Sequence, residues 1–417
     1  YIFGRGGEEA VALAGAGVPF EVVSGVTAAS GVPAYAGIPL THRNVSAAAV
    51  LVTGHEDPAR GAPGVDWELL ARLDSTLVVF MGSRKLGEIA ATLTRHGRSP
   101  ETPAAAIEWG TWPHQRTVVS TLEGVADAAR AAALESPTLV LVGEVVSLRE
   151  QLNWFEGKPL FGRRILVTRS REQAGRLQLM LEAEGAEVSA LPLLEIGPPA
   201  DWSDLDDALG RLPDFAWILF TSPNSVSFFF DRLAALGKDA RALGGCSIAA
   251  VGMSTGQHLR RRGLEPDLVP EEQSQKGLAA AFEEVAVAGA SFLVPASSIG
   301  RTGLDAALAR RGGRVHRVVA YENRPPDPET VELPAALTEN RLDMIVFASP
   351  SSVRNFLTVC GPEKGIAHLA AAALACIGPT TAQAVRDLGL EAALQPPESS
   401  IPALVRSICA HYAGEPR

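Results

Sequence analysis

The segment RILVTRSREQAGRLQLMLEAEGAEVSALPLLE begins at Arg164 and returns 127 positions later as SFLVPASSIGRTGLDAALARRGGRVHRVVAYE. At the same offset FTSPNSV (220 to 226) returns as FASPSSV (347 to 353). After a slip of one residue, AVGMSTGQHLRRRGLEP (250 to 266) returns as CIGPTTAQAVRDLGLEA (376 to 392), and Ser274 with Leu278 returns as Ser400 with Leu404. A chain that writes one pattern twice is constrained to build two similar lobes. Each unit reads as strand, hydroxyl-rich turn, helix, strand. Leu177 and Leu181, echoed by Leu304 and Leu308, lie one helical turn apart and predict the core stripe of equivalent helices. Such βαβ units require right-handed crossovers and a mostly parallel sheet, so each lobe is expected to be a small doubly wound domain. Two lobes facing one another would form a cleft, a common place for a small-molecule site.

The residues before the repeat also alternate β-branched runs with amphipathic stretches, as α/β domains do. Strands are expected at 20 to 23, 48 to 54, 76 to 82, 116 to 121 and 138 to 145, and helices at 7 to 16, 27 to 35, 84 to 97 and 122 to 133. Gly157, Lys158, Pro159 and Gly162 then cluster as loop signals, which predicts a domain boundary near residue 160.

Composition narrows the function classes. The net charge of -10 argues against nucleic acid as a partner, because neutralising phosphates needs a basic surface. Apolar runs are broken well before a membrane span, and no secretory signal opens the chain, so the expectation is a cytoplasmic protein without a membrane partner. Cys246, Cys360, Cys376 and Cys409 are widely spaced, which predicts neither a disulfide framework nor a metal site. His55-Glu56 lacks the second histidine of a zinc helix, and phosphate-loop and nucleophile-elbow motifs are missing.

The turns after the strands carry Thr168, Ser222 with Asn224, Ser254 with Thr255, Ser298, Ser349 with Ser351, and Thr380 with Thr381. In a parallel sheet these turns gather at the carboxyl ends of the strands, where open α/β folds bind ligands. Helix N-termini there favour anions. Taken singly, each hydroxyl is better explained as a helix cap. Their recurrence in both repeats points to a ligand with several carboxylates or phosphates, held by a site poor in acids and bases that acts by orienting it.

The blocks ILVTR, FTSPNSV, AVGMSTGQHLRRRG, VVAYE, FASPSSV and CIGPTTAQAV resemble the uroporphyrinogen-III synthase family across nearly all of 161 to 412. The resemblance implies two flavodoxin-like, doubly wound lobes with exchanged topology: about 163 to 197 joins about 323 to 417, while 198 to 322 forms the other lobe. It implies a hydro-lyase without a cofactor. Hydroxymethylbilane, a linear tetrapyrrole with eight carboxylates, is closed to uroporphyrinogen III with its last ring inverted through a spiro intermediate. Tyr321 matches a family tyrosine and is the candidate donor to the leaving hydroxyl; a structural tyrosine is the equal alternative. The family more often carries arginine after the strand where Ala296 stands, which leaves Arg301 to supply a cationic contact.

YIFGRGGEE, VVSGVTAASGVPAYAGIPLTHR (22 to 43), LVTGHE, VVFMG, IEWGT and LVLVGEVVSLREQLNWFE (139 to 156) resemble the uroporphyrinogen-III C-methyltransferase family. This implies the C-terminal half of a tetrapyrrole methylase fold over 1 to 158, followed by the synthase domain over 161 to 417. S-adenosylmethionine would be bound by Ile2, Thr27, Ala28, Met81 and Gly110. Arg5 would meet either a substrate carboxylate or Glu8 and Glu9. The resemblance leaves a homodimer through this part open. The chain starts at Tyr1 inside a glycine-rich turn, which predicts that upstream methylase residues are missing and that this part has little activity as it stands. The joint expectation is a bifunctional tetrapyrrole enzyme that makes uroporphyrinogen III and methylates it twice to precorrin-2, toward sirohaem and cobalamin. A non-catalytic two-lobed anion-binding protein, or a regulatory module attached to a methyltransferase, is the alternative.

Overall fold

The computed structural model describes residues 1–54, 64–168, 171–300 and 302–413, with backbone alone over 171–174. Its contacts divide the chain into two compact units, one made of 1–191, 333–353 and 363–417 and the other of 192–332 and 354–362.

The first unit holds two sheets. One contains β1 (Ala49–Thr53), β2 (Thr76–Phe80), β3 (Pro103–Glu108), β4 (Arg116–Thr121) and β5 (Thr138–Val142), in the order β1-β2-β5-β3-β4. β1 and β2 run parallel and the other ladders are antiparallel. The sheet is covered on both faces, and strand alternation sorts the residues. Leu77, Val79, Ala104, Ala106, Val140 and Val142 join the core under the helices Trp67–Arg72, Leu86–Arg95 and Val125–Ala131. Val78, Ala105, Ile107, Leu139 and Leu141 join a second core with Ala29 and Val32 of helix Ala28–Tyr35.

The expected strand at 20 to 23 does not form. Phe20, Val22 and Val23 are exposed, and a strand without a paired neighbour has no ladder to hold it. β3 arises where no strand was expected. Its three alanines are poor strand formers, and double-sided burial between β4 and β5 overrides that preference.

The segment carrying the glycine and proline signals near residue 160 is hydrogen-bonded to both of its flanks. Trp154 Nε1 donates to Ala34 O at 3.0 Å and Gln115 Nε2 to Glu156 Oε1 at 2.8 Å on one side. On the other, Lys158 Nζ donates to Ala183 O at 2.7 Å, Leu160 N to Glu184 O at 2.9 Å, and the Leu160 side chain is fully buried.

The second sheet of this unit joins β6 (Arg164–Val167) and β7 (Glu187–Ala190) to β13 (Met344–Phe347) and β14 (Ala373–Cys376), all parallel, in the order β14-β13-β6-β7. The other unit joins β9 (Trp217–Phe220), β10 (Ser247–Ala250), β11 (Ser291–Ser297) and β12 (Arg314–Arg324) in the matching order β10-β9-β11-β12. These four are parallel as well. β8 (Glu195–Gly197) adds antiparallel to β12 through Arg324, Asn323 and Glu322. That ladder keeps both segments in the second unit, which takes in 192–332.

The repeat extends to detail. Helices Pro223–Ala235 and Pro350–Cys360 follow equivalent strands, Met253–Arg261 matches Pro379–Arg386, and Ser274 and Ser400 cap equivalent helices. Isolated bridges Ala249–Leu268 and Ala375–Leu394 also correspond.

Phe229 is fully buried between Phe220 and Phe230, at ring distances of 5.3 and 5.4 Å. Phe229→Ala removes the ring from a close-packed site and lowers unfolding free energy by about 3–5 kcal/mol, read as a lower urea midpoint. A loss below about 1 kcal/mol would contradict this packing.

Candidate functional site

Parallel order places the turns after β9, β10 and β11 on one rim of the second unit. The turns after β9 and β10 run directly into helices Pro223–Ala235 and Met253–Arg261. Ser222 lies in extended backbone and caps Pro223–Ala235: Ser225 N donates to Ser222 Oγ at 3.0 Å, while Ser222 N donates back to Ser225 Oγ at 3.3 Å. Asn224 is half-buried in the first turn. Ser254 is exposed and Thr255 buried in the first turn of Met253–Arg261. Ser298 is exposed, and its N–H donates to Tyr321 O at 3.2 Å.

Tyr321 stands near the end of β12. Its ring is buried, stacked on Phe228 with centroids 5.8 Å apart, and its Oη lies 3.0 Å from Ser222 Oγ. The structure therefore brings Tyr321 into contact with Ser222 through its hydroxyl and with Ser298 through its backbone. Arg301 lies outside the described residues.

The matching rim of the first unit follows β6, β13 and β14. Ser349 Oγ accepts from Ser352 N at 3.2 Å and meets Ser351 Oγ at 2.9 Å. Thr380 is exposed and Thr381 buried in the helix that follows β14. Thr168 is buried, and its Oγ1 donates to Val346 O at 2.8 Å, so its hydroxyl closes the β6–β13 ladder.

A separate cavity of about 450 Å³ opens beside the five-stranded sheet of the first unit, lined by Ala28, Val32, Phe80, Met81, Ile107, Trp109, Gly110, Trp112 and Leu139, among others. Three of the five residues singled out for the methyl donor, Ala28, Met81 and Gly110, meet there. Thr27 stands next to it as the cap of helix Ala28–Tyr35, accepting from Ala29 N at 3.3 Å. Ile2 does not line the cavity, although its neighbour Phe3 packs on Phe80 at 5.0 Å. Met81, Trp109 and Thr111 hold φ of 53°, 50° and 76°, a left-handed backbone that costs each of them about 1–3 kcal/mol. A Cβ at Gly110 would fall 2.4 Å from Val32 Cγ1, so only glycine keeps this wall in place.

The tryptophans at 109 and 112 were not singled out from the sequence, although the IEWGT block contains the first. They form an edge-on pair at 6.2 Å, and His114 beside them meets Glu187 of β7 at 3.3 Å. Arg5 pairs with Glu8 at 2.8 Å, the ion-pair alternative weighed for it.

Two family models match the chain. The model described as uroporphyrinogen-III synthase HemD covers 175–406, more than half of it, and that described as tetrapyrrole (corrin/porphyrin) methylases covers 1–126. The chain belongs to the uroporphyrinogen-III synthase family. It is 34% identical over 390 residues to the porphyrin biosynthesis protein HemD of Ruminiclostridium josui, spanning 94% of this chain and 76% of that protein. It is 35% identical over 272 residues to the uroporphyrinogen-III C-methyltransferase of Bacillus subtilis, spanning 64% of this chain and 55% of that protein. The S-adenosyl-L-methionine-dependent uroporphyrinogen III methyltransferase of Methanosarcina barkeri is 47% identical over 152 residues, 36% of this chain and 60% of its own length.

The four cysteines are all free, two of them buried and two half-buried. Burial pushes the thiols of Cys360, Cys376 and Cys409 up to about 11, and that of Cys246 upward as well. Below those values they stay protonated and poorly nucleophilic. At pH 7.5 a thiol reagent is expected to label the native protein slowly and all four cysteines rapidly after denaturation; rapid labelling of native Cys376 would refute the packing around β14.

Proposed function

We propose that residues 161–417 convert hydroxymethylbilane to uroporphyrinogen III and that the preceding residues belong to a methylase acting on that product. The observation that carries the synthase reading is the Tyr321 hydroxyl on a rim otherwise supplied with small hydroxyls and helix N-termini. Such a rim suits a polyacid. Donors at helix starts hold carboxylates without committing to one of them, and charge-assisted hydrogen bonds of this kind are worth about 1.5–3 kcal/mol each.

The reaction begins when the C–O bond of the hydroxymethyl group breaks. Tyr321 donates the proton that lets hydroxide leave as water, and a cationic azafulvene remains. The carbon bearing that charge then bonds to the substituted carbon of the last pyrrole. The spiro intermediate reopens and recloses with that ring inverted, and the proton released on rearomatisation restores the balance. Product choice is decided by orientation, so interactions that hold the closing geometry count for more than acid or base strength.

The cavity at Met81 and Gly110 fits an adenosyl methyl donor: apolar walls from Val32, Phe80, Ile107 and Leu139 flank a glycine that lets backbone approach. When bound, S-adenosylmethionine would supply an electrophilic methyl group. Ala28 and Gly110 would leave room for it, and Met81 and the tryptophans would pack against its flat part. The fusion then joins maker and modifier of one tetrapyrrole.

With hydroxymethylbilane as substrate, the full chain is expected to yield the type III isomer while a control without protein yields type I. Tyr321→Phe is expected to retain the fold and slow cyclisation by roughly a hundredfold. Wild-type turnover in that variant removes Tyr321 from the chemistry, and type I product alone removes the synthase reading. For the methylase part, calorimetry with S-adenosylhomocysteine is expected to show binding that Gly110→Ala weakens about tenfold or more, because the added methyl drives Val32 into the cavity. Unchanged affinity after Gly110→Ala, or after Met81→Ala with Thr27→Ala, would move the cofactor elsewhere.

A further inference from the structure

The duplication lets the chain be compared with itself at the residue that matters most. Ser222 and Ser349 are equivalent, 127 positions apart, and cap their helices in the same way. They differ in what else they touch. Ser349 Oγ meets Ser351 Oγ at 2.9 Å, whereas Ser222 Oγ meets Tyr321 Oη at 3.0 Å. The position equivalent to Tyr321 is Leu194, so one repeat carries the phenol and the other does not.

A serine hydroxyl has one proton and two lone pairs. At Ser222 one lone pair accepts from Ser225 N. If the phenol donated to the second, Ser222 would keep its proton and Tyr321 would have none to offer. If Ser222 donates instead, its proton is satisfied and the Tyr321 O–H is left for an acceptor on a bound molecule. A chain running from Ser222 to Tyr321 to ligand also polarises each link in the same sense.

The backbone is shaped to make this contact. In the β11–β12 ladder Ala296 pairs with Val319, but the next pair is Ser297 with Tyr321, so Ala320 is an extra residue. Regular alternation would send Ala320 and Tyr321 to opposite faces. Here both join the core cluster that includes Phe220 and Val226, as expected of a bulge that re-aims a side chain. Phe228 stacks on the ring from one side, and Ser298 N holds Tyr321 O.

We infer that Ser222 is a positioning residue for Tyr321: as helix cap and phenol partner together, it fixes the direction in which the bulged tyrosine presents its proton. This rests on the reading of Tyr321 as proton donor.

The test is cyclisation kinetics on the full chain, with melting curves for every variant. Ser222→Ala is expected to lower kcat by about tenfold to a hundredfold with KM little changed, and Ser222→Thr, which keeps both hydroxyl contacts, to restore kcat to within about threefold. Ser222→Ala combined with Tyr321→Phe is expected to be no slower than Tyr321→Phe alone, the non-additivity of groups acting as one. Ser274→Ala removes a cap elsewhere in the same unit and is expected to cost similar stability while leaving kcat unchanged. The inference is overturned if Ser222→Ala matches Ser274→Ala in both stability and kcat, or if the double variant shows the product of two independent losses. Normal turnover in Tyr321→Phe would overturn it too, and would identify the donor assignment as the part that failed.

Discussion

Three residues of β6, Ile165, Leu166 and Val167, pair in parallel with Met344, Ile345 and Val346 of β13, and the remainder of the second half of the chain depends on that ladder. It joins segments almost 180 residues apart, closing a loop whose entropic cost is met by burial, since all six side chains are essentially inaccessible. Thr168 reinforces it with both its N–H and its hydroxyl on Val346 O. Asp343 does the same at the other end, accepting from Arg164 N at 2.7 Å while Asp343 N donates to Arg164 O. Polar groups thus clamp an apolar ladder at both ends and fix its register, which matters because slipping by one residue would turn every side chain to the wrong face.

That closure explains why a duplicated sequence does not fold as two consecutive domains. Each sheet needs the same four strands in the same order, and the chain supplies them as β6, β7, β13, β14 in one case and β9, β10, β11, β12 in the other. The βαβ unit at the start pairs with strands near the end, and the intervening strands form a sheet of their own. Long-range parallel pairing of this kind is slow to form. The second sheet, with every strand drawn from 195–324, is the more local of the two.

Much of this was legible in the sequence because periodicity and turn chemistry are local. The strands at 49–53, 76–80, 116–121 and 138–142 fall within the expected runs, and the turns at Ser222, Ser254, Ser349 and Thr380 lead into helices. What escaped is what depends on a neighbour. Phe20 to Val23 have strand-forming side chains and no ladder, while Ala104 to Ala106 have weak ones and two ladders. The bulge at Ala320 leaves no mark in composition. The meeting of Ser222 with Tyr321, 99 residues apart, cannot be read from either residue alone. Ahead of residue 160, Ala28, Met81 and Gly110 were named through resemblance and line one cavity, but the tryptophans that share it were not named, because their place there follows from left-handed turns at 109 and 111.

A site that handles a flexible polyacid has reason to spread its contacts thinly. When many donors share the holding of many carboxylates, each supplies a few tenths to a few kcal/mol, and loss of one lets the ligand rebalance on the rest. Ser222 and Ser349 suit that task because their backbone and side-chain groups are ordered by the helices they cap, so little further entropy is lost on binding. The departure of hydroxide cannot be shared in this way. It occurs at one carbon, needs one proton, and fails if the donor points elsewhere. A fold built from two copies of a lobe can repeat the diffuse provision in each copy, whereas a single donor belongs to one copy alone. The exchange of Leu194 for Tyr321, at a bulge in the β11–β12 ladder beside Ser222, is one place where the two copies differ.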